Sequence, residues 1–138
     1  MTKQEEIREG RRKKTAEIFT PPELVNEMLD KLPNDIWQEN KTFCDPATGN
    51  GNILLEILRR KLKLGHDPIQ ALRSIWGVEL MPDNVKECKE RLLDLIPADL
   101  HKEAKTILNH NIKCHDALTW DFEEWKSKEV SKYIRKVI

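Results

Sequence analysis

The feature that most constrains this 138-residue chain is the segment Asp45-Pro46-Ala47-Thr48-Gly49-Asn50-Gly51-Asn52, set between a short apolar run and an amphipathic helix. Thr42-Phe43-Cys44-Asp45 leads into it as a strand candidate. Ile53, Leu54, Ile57, Leu58 and Leu62 follow at helical spacing, and Gly65 is placed to end that helix. Two glycines, Gly49 and Gly51, permit a sharp backbone bend and a close approach to a ligand with no side chain in the way. A strand that turns directly into a helix belongs to the α/β class, where ligands lie beyond the carboxyl ends of the strands.

The same alternation continues downstream. Asp67-Pro68 opens a short helix, and Ser74-Ile75-Trp76-Gly77-Val78-Glu79 reads as a second strand. Pro82 starts a helix to about Ile96, where Pro97 interrupts the pattern, and a further helix covers Leu100 to Leu108. Asn109-His110-Asn111 reads as a turn, Ile112-Lys113-Cys114 as a third strand and His115-Asp116 as the loop after it. Tyr133 to Ile138 is a fourth strand or a frayed tail. Upstream, Thr20-x-x-Glu23 has the form of a capping box with Pro21 at the first helical position. Leu24, Val25, Met28, Leu29 and Leu32 form the apolar face of that helix, which Pro33 stops. The order predicts a parallel sheet flanked by helices. Residues 1–14 are expected as a basic polar arm and 15–138 as the folded domain.

Composition narrows the function classes. Lys plus Arg and Asp plus Glu both total 24, so the chain as a whole is neither a basic nucleic-acid coat nor an acidic DNA mimic. The cluster Arg11-Arg12-Lys13-Lys14 is a candidate nucleic-acid contact, with a solvated surface as the equal alternative. Cys44, Cys88 and Cys114 form no C-x-x-C pair, which favours free thiols over zinc. No apolar run approaches the roughly 20 residues of a membrane span, so the expected setting is cytoplasmic.

Three strand ends carry unusual residues. Asp45, ahead of the glycine turn, would repel a pyrophosphate and attract an ammonium group. Leu54 stands where the dinucleotide pattern has its third glycine. A nicotinamide dinucleotide is therefore the lesser alternative. Glu79, 28 positions beyond Gly51, can accept both hydroxyl protons of a ribose, and otherwise is a surface residue of a helix-entry loop. Asp116 can accept from an adenine amino group, or simply shape its own turn.

These segments resemble the gamma-type adenine-N6 DNA methyltransferases, including those of restriction–modification systems. Thr15-Ala16-Glu17-Ile18-Phe19-Thr20-Pro21-Pro22 looks like the motif before their first strand. Asp45 to Asn52 is similar to their D-P-A-C-G-S-G-N motif, with Thr48 and Asn50 as departures. Gly77-Val78-Glu79-Leu80 and His115-Asp116-Ala117-Leu118 match the next two motifs, in the family's order. The resemblance implies a Rossmann-like class I methyltransferase core and S-adenosylmethionine as cofactor. Thr20 and Pro21 would line its methionine end, and Asp45, Ala47, Gly49 and Gly51 would wrap the amino acid portion. Glu79 would hold the ribose and Asp116 would face the adenine, with Leu80 or Met81 packed on the ring.

The family holds its acceptor base with a D/N-P-P-Y/F segment, since a weakly nucleophilic exocyclic amine must be kept in line with the sulfonium methyl. These 138 residues contain none, and their last proline is Pro97. The sequence is therefore expected to be a truncated core that binds S-adenosylmethionine without catalysing transfer alone. Alternatives are a DNA adenine methyltransferase subunit completed by a partner chain or a homo-oligomer, with DNA as a candidate partner, and a regulator that sequesters or degrades the cofactor.

Overall fold

The computed structural model describes residues 2–15 and 19–128, with side chains throughout these ranges except at 12–15. Three short strands, β1 (Phe43–Asp45), β2 (Ile75–Glu79) and β3 (Ile112–Cys114), form one parallel sheet in the order β1-β2-β3. Phe43 pairs with Ile75 and Asp45 with Gly77, while Gly77 pairs with Ile112 and Glu79 with Cys114. This register brings the carboxyl ends of all three strands to one edge of the molecule. The fold is α/β and compatible with a Rossmann-like core.

Seven α-helices accompany the sheet among the described residues: α1 (Lys3–Thr15), α2 (Pro22–Asp30), α3 (Asn52–Lys63), α4 (Pro68–Arg73), α5 (Pro82–Asp94), α6 (His101–Asn111) and α7 (Phe122–Ser127). Strand periodicity divides the interior. Ile75 joins the main core with Leu54, Leu58, Leu72, Val85, Leu92, Ile107 and Ile112, under the helices α2 to α6. Trp76 and Val78 point to the opposite face, where Trp125 of α7 covers them. Trp76 and Trp125 meet edge-on at 4.8 Å between ring centroids, the geometry an aromatic quadrupole favours.

Local chemistry fixed several elements as read from sequence. Asp67 caps α4, its Oδ2 accepting from the Gln70 amide at 3.0 Å, and α3 ends at Lys63 with Gly65 at φ 88°. Other expectations are corrected. Thr20-x-x-Glu23 makes no capping box: Pro21 is the N-cap residue, Pro22 opens α2 and no side chain caps it. Thr20 instead offers its carbonyl to the Asn52 side-chain amide at 2.8 Å. Only Val25 and Leu29 of the expected α2 face are buried; Leu24, Met28 and Leu32 are exposed.

Asn109-His110-Asn111 is the last turn of α6 and not a loop. The buried Asn111 amide donates to the carbonyls of Arg73 and Ile75 at 3.2 and 3.1 Å, which ties helix directly to sheet and lets β3 begin at the next residue. The polar arm is helical from Lys3, and the polar connection before β1 contains a 3-10 turn at Asn34–Trp37. The expected fourth strand at Tyr133 to Ile138 lies outside the described residues, as do Ala16, Glu17 and Ile18 and the side chains of Arg12, Lys13 and Lys14. No helix among the described residues is long and apolar enough to cross a membrane.

Candidate cofactor site

The site grows from the turn between β1 and α3. Asp45 closes β1, and its Oδ1 accepts from the Ala47 amide at 3.0 Å. The Thr48 hydroxyl donates to the Asp45 carbonyl at 2.9 Å, and the Thr48 amide donates to the Val78 carbonyl at 3.1 Å, so the turn is bonded to the neighbouring strand end. Gly49 and Gly51 have φ values of 57° and 94°, the left-handed region that glycine enters without a Cβ penalty.

The glycines answer to the protein's own packing as well as to φ. A Cβ on Gly51 would sit 2.7 Å from Cys88 Sγ, and one on Gly49 would sit 3.0 Å from the Phe19 ring. The space beside both α-carbons in the Cβ direction is thus filled by Cys88 and Phe19. Gly77 shows the same crowding, its Cβ position being 2.3 Å from Thr48 Oγ1. Strand β2 and the turn approach closely only because residue 77 has no side chain.

Glu79, at the end of β2, joins two strand ends. Its Oε1 accepts from the Gly49 amide at 3.1 Å, and its Oε2 accepts from the Met81 amide at 2.9 Å and Asn84 Nδ2 at 3.2 Å. A carboxylate has about four acceptor positions, so these three donors orient it and leave capacity for a ligand hydroxyl. Leu80, beside it, is exposed and apolar.

Asp45 is the chemically unusual member. Its Oδ2 is buried without a hydrogen-bond partner. Burial pushes its carboxyl above the usual carboxylate range; the Ala47 amide partly offsets this, and the nearby Glu79 charge adds to it. An orphaned buried carboxylate oxygen between two strand ends asks for a cation or a strong donor. The α-ammonium of S-adenosylmethionine is such a group, so the donor and acceptor set present fits this cofactor. It fits a pyrophosphate poorly, since two carboxylates face the turn.

The remaining expected residues are placed as follows. Asp116 follows β3 in an exposed Asx turn, its Oδ1 accepting from the Leu118 amide at 2.9 Å. That explains the residue locally and leaves its carboxylate open to solvent. Thr20 and Pro21 adjoin α3 through the Thr20–Asn52 bond. Arg11 directs its guanidinium to Asp83 at 2.9 Å, on the first turn of α5. Burial would raise the Asp83 carboxyl, but the hydrogen bonds from Arg11 and Gln4 and the Arg11 charge hold it below its ordinary value.

Sequence reasoning missed the support of this site on α5. Asn84, Cys88 and Arg91 lie at helical spacing on one face. Arg91 Nη1 donates to the Asn50 carbonyl at 3.0 Å and to Asn52 Oδ1 at 2.7 Å, pinning the glycine turn from the side. The available signal was a polar stripe on an otherwise amphipathic helix.

The chain is 37% identical over 60 residues to the type II methyltransferase M.VspI of Vibrio sp. (strain 343). This chain is related to a methyltransferase. The aligned stretch is 44% of this chain and spans only 14% of that protein's length. No protein-family model matches the chain, and no solved structure matches it.

Proposed function

We propose that this chain binds S-adenosylmethionine at the carboxyl ends of β1, β2 and β3, as part of a machinery related to the adenine-N6 DNA methyltransferases. The observation that carries the reading is the partnerless buried Oδ2 of Asp45 beside a glycine turn whose amide is held by Glu79. Asp45 accepts from the cofactor's ammonium group, Glu79 from a ribose hydroxyl, and Leu80 offers apolar surface to its adenine. Asp116 is the acceptor for the adenine amino group, and Thr20 and Pro21 border the methionine end. When bound, the cofactor supplies an electrophilic sulfonium methyl group. The chain's own residues bind and orient it. They carry no D/N-P-P-Y/F segment to hold an adenine, so transfer to DNA is assigned to a partner chain or a further segment.

One observation favours that completed-subunit reading. β1 is an edge strand among the described residues, and a small, mainly apolar cavity of about 150 Å³ runs beside it, lined by Thr42, Phe43, Cys44, Trp76, Phe122, Trp125 and Lys126. A sheet edge next to such a slot is suited to pairing with a further strand, from this chain or from a partner.

Calorimetry with S-adenosylmethionine and with NAD tests the cofactor assignment. Binding of the first and not the second is the expected result, with Glu79→Ala weakening it by about 1.5–3 kcal/mol, the usual worth of a hydrogen bond to a charged group. Binding of NAD alone refutes the assignment. Incubation with methyl-labelled cofactor and unmethylated DNA then separates the roles: label on adenine gives the chain its own catalysis, and cofactor breakdown identifies a degrading enzyme.

A further inference from the structure

The site is tied to the N-terminal helix by a route that the cofactor assignment does not use. Asn84, on the first turn of α5, is fully buried. Its Nδ2 donates to Glu79 Oε2 at 3.2 Å, and its Oδ1 accepts from Arg8 Nη2 at 3.0 Å. A carboxylate on one side and a guanidinium on the other fix the amide's orientation, since the flipped form would set donor against donor and acceptor against acceptor. Arg8 is also ion-paired to Glu87 of α5, and its guanidinium lies 5.0 Å over the Phe19 ring. Phe19 in turn packs against Gly49, whose amide donates to the other oxygen of Glu79. Arg8 therefore touches two residues, Asn84 and Phe19, that border the Glu79–Gly49 bond on its two ends.

Helix α1 docks through polar contacts of this kind. Gln4 and Arg11 both reach Asp83, at 2.6 and 2.9 Å, while Ile7 is left exposed. Such a surface attachment is weakened by salt, in contrast to the apolar core beneath it.

We infer that Arg8 is a positioning residue for the cofactor site: through Asn84 and Phe19 it holds Glu79 on the Gly49 amide, so docking of α1 sets the geometry offered to the ribose. The ribose part rests on the cofactor reading above; the positioning of Glu79 does not. The test uses the full chain without ligand first. Amide hydrogen exchange by NMR is followed at Gly49 and Met81, the two backbone donors to Glu79, with Leu58 as the core reference.

In Arg8→Ala, exchange at Gly49 and Met81 is expected to quicken about tenfold, the scale of one hydrogen bond to a charged group, with Leu58 unchanged. Glu87→Gln, which keeps Arg8 but loosens α1, gives the same pattern in weaker form, and Arg8→Lys restores part of the protection because its single ammonium keeps the charge but not the fork. Equal exchange at Gly49 and Met81 in wild type and both weakened variants overturns the inference, and so does a uniform rise that includes Leu58.

Affinity for S-adenosylmethionine supplies the second arm. Arg8→Ala weakens it about three- to tenfold, and that loss disappears in a Glu79→Gln background. A loss that persists there also overturns the inference. Absence of binding in wild type refutes the cofactor reading instead, and leaves the exchange result to decide the positioning.

Discussion

Replacing Asp45 by Asn separates stability from ligand binding in one step. In the wild type, Oδ1 accepts from the Ala47 amide while Oδ2 is buried without a partner. The amide is nearly isosteric, keeps the oxygen that Ala47 needs and removes the buried charge. A neutral polar group left unpaired costs about 1–3 kcal/mol, and a charged one costs more. Asp45→Asn should therefore make the ligand-free protein about 1 kcal/mol more stable at pH 7, raising Tm by roughly 3–5 °C for a domain of this size. Loss of the charged acceptor should weaken S-adenosylmethionine binding by about 1.5–3 kcal/mol, or roughly 10- to 150-fold.

The pH dependence has a definite sign. Burial raises the folded carboxyl above its ordinary 3.8, so the folded state holds this proton more tightly than the unfolded chain. The wild type consequently loses stability relative to Asp45→Asn as pH rises from about 4 through the raised value. Affinity for an ammonium ligand rises over the same window, because ionised Asp45 is its acceptor. Thermal unfolding and calorimetry between pH 4 and about 7 report both quantities. An Asp45→Asn protein that is less stable than wild type and binds the cofactor equally well would refute the reasoning.

Other outcomes follow from the packing. Gly51→Ala must hold φ 94° and put its Cβ 2.7 Å from Cys88 Sγ, so about 2–5 kcal/mol of destabilisation is expected in urea unfolding, and Cys88→Ala should recover the contact part only. Lys61 is fully buried, donates to the Lys41 carbonyl at 3.0 Å and has its pKa lowered by burial, so folding stability should rise with pH towards 10.5. Lys61→Met should flatten that slope and add about 1 kcal/mol at neutral pH. Cys88, buried and pushed up to about 12, should resist alkylation at pH 8 until the protein unfolds, while the exposed Cys44 and Cys114 react in the native state; mass spectrometry after brief iodoacetamide treatment distinguishes them.

The sequence by itself determined the elements that depend on short-range chemistry. Pro68 behind the Asp67 cap, the apolar spacing from Ile53 to Leu62, the positive-φ glycines and the alternation of strand with helix were all legible, because backbone sterics and local hydrogen bonds act over a few residues. Their order also placed Asp45 and Glu79 at strand ends. Local rules misled where the decisive contacts came from distant residues. The Thr20 carbonyl met Asn52 while Pro21 took the N-cap position of α2, and the Asn111 side chain met Arg73 and Ile75 as α6 ran past an apparent turn.

Only the tertiary structure decided what surrounds the site. It filled the space beside Gly49 and Gly51 with Phe19 and Cys88, left one oxygen of Asp45 without a partner and linked Glu79 through Asn84 to Arg8. Asn84 and Arg8 are 76 positions apart. No periodicity or propensity relates residues at that separation. Their contact exists because packing the helices over one sheet face sets the first turn of α5 beside the strand ends, and α1 then meets the charges presented there.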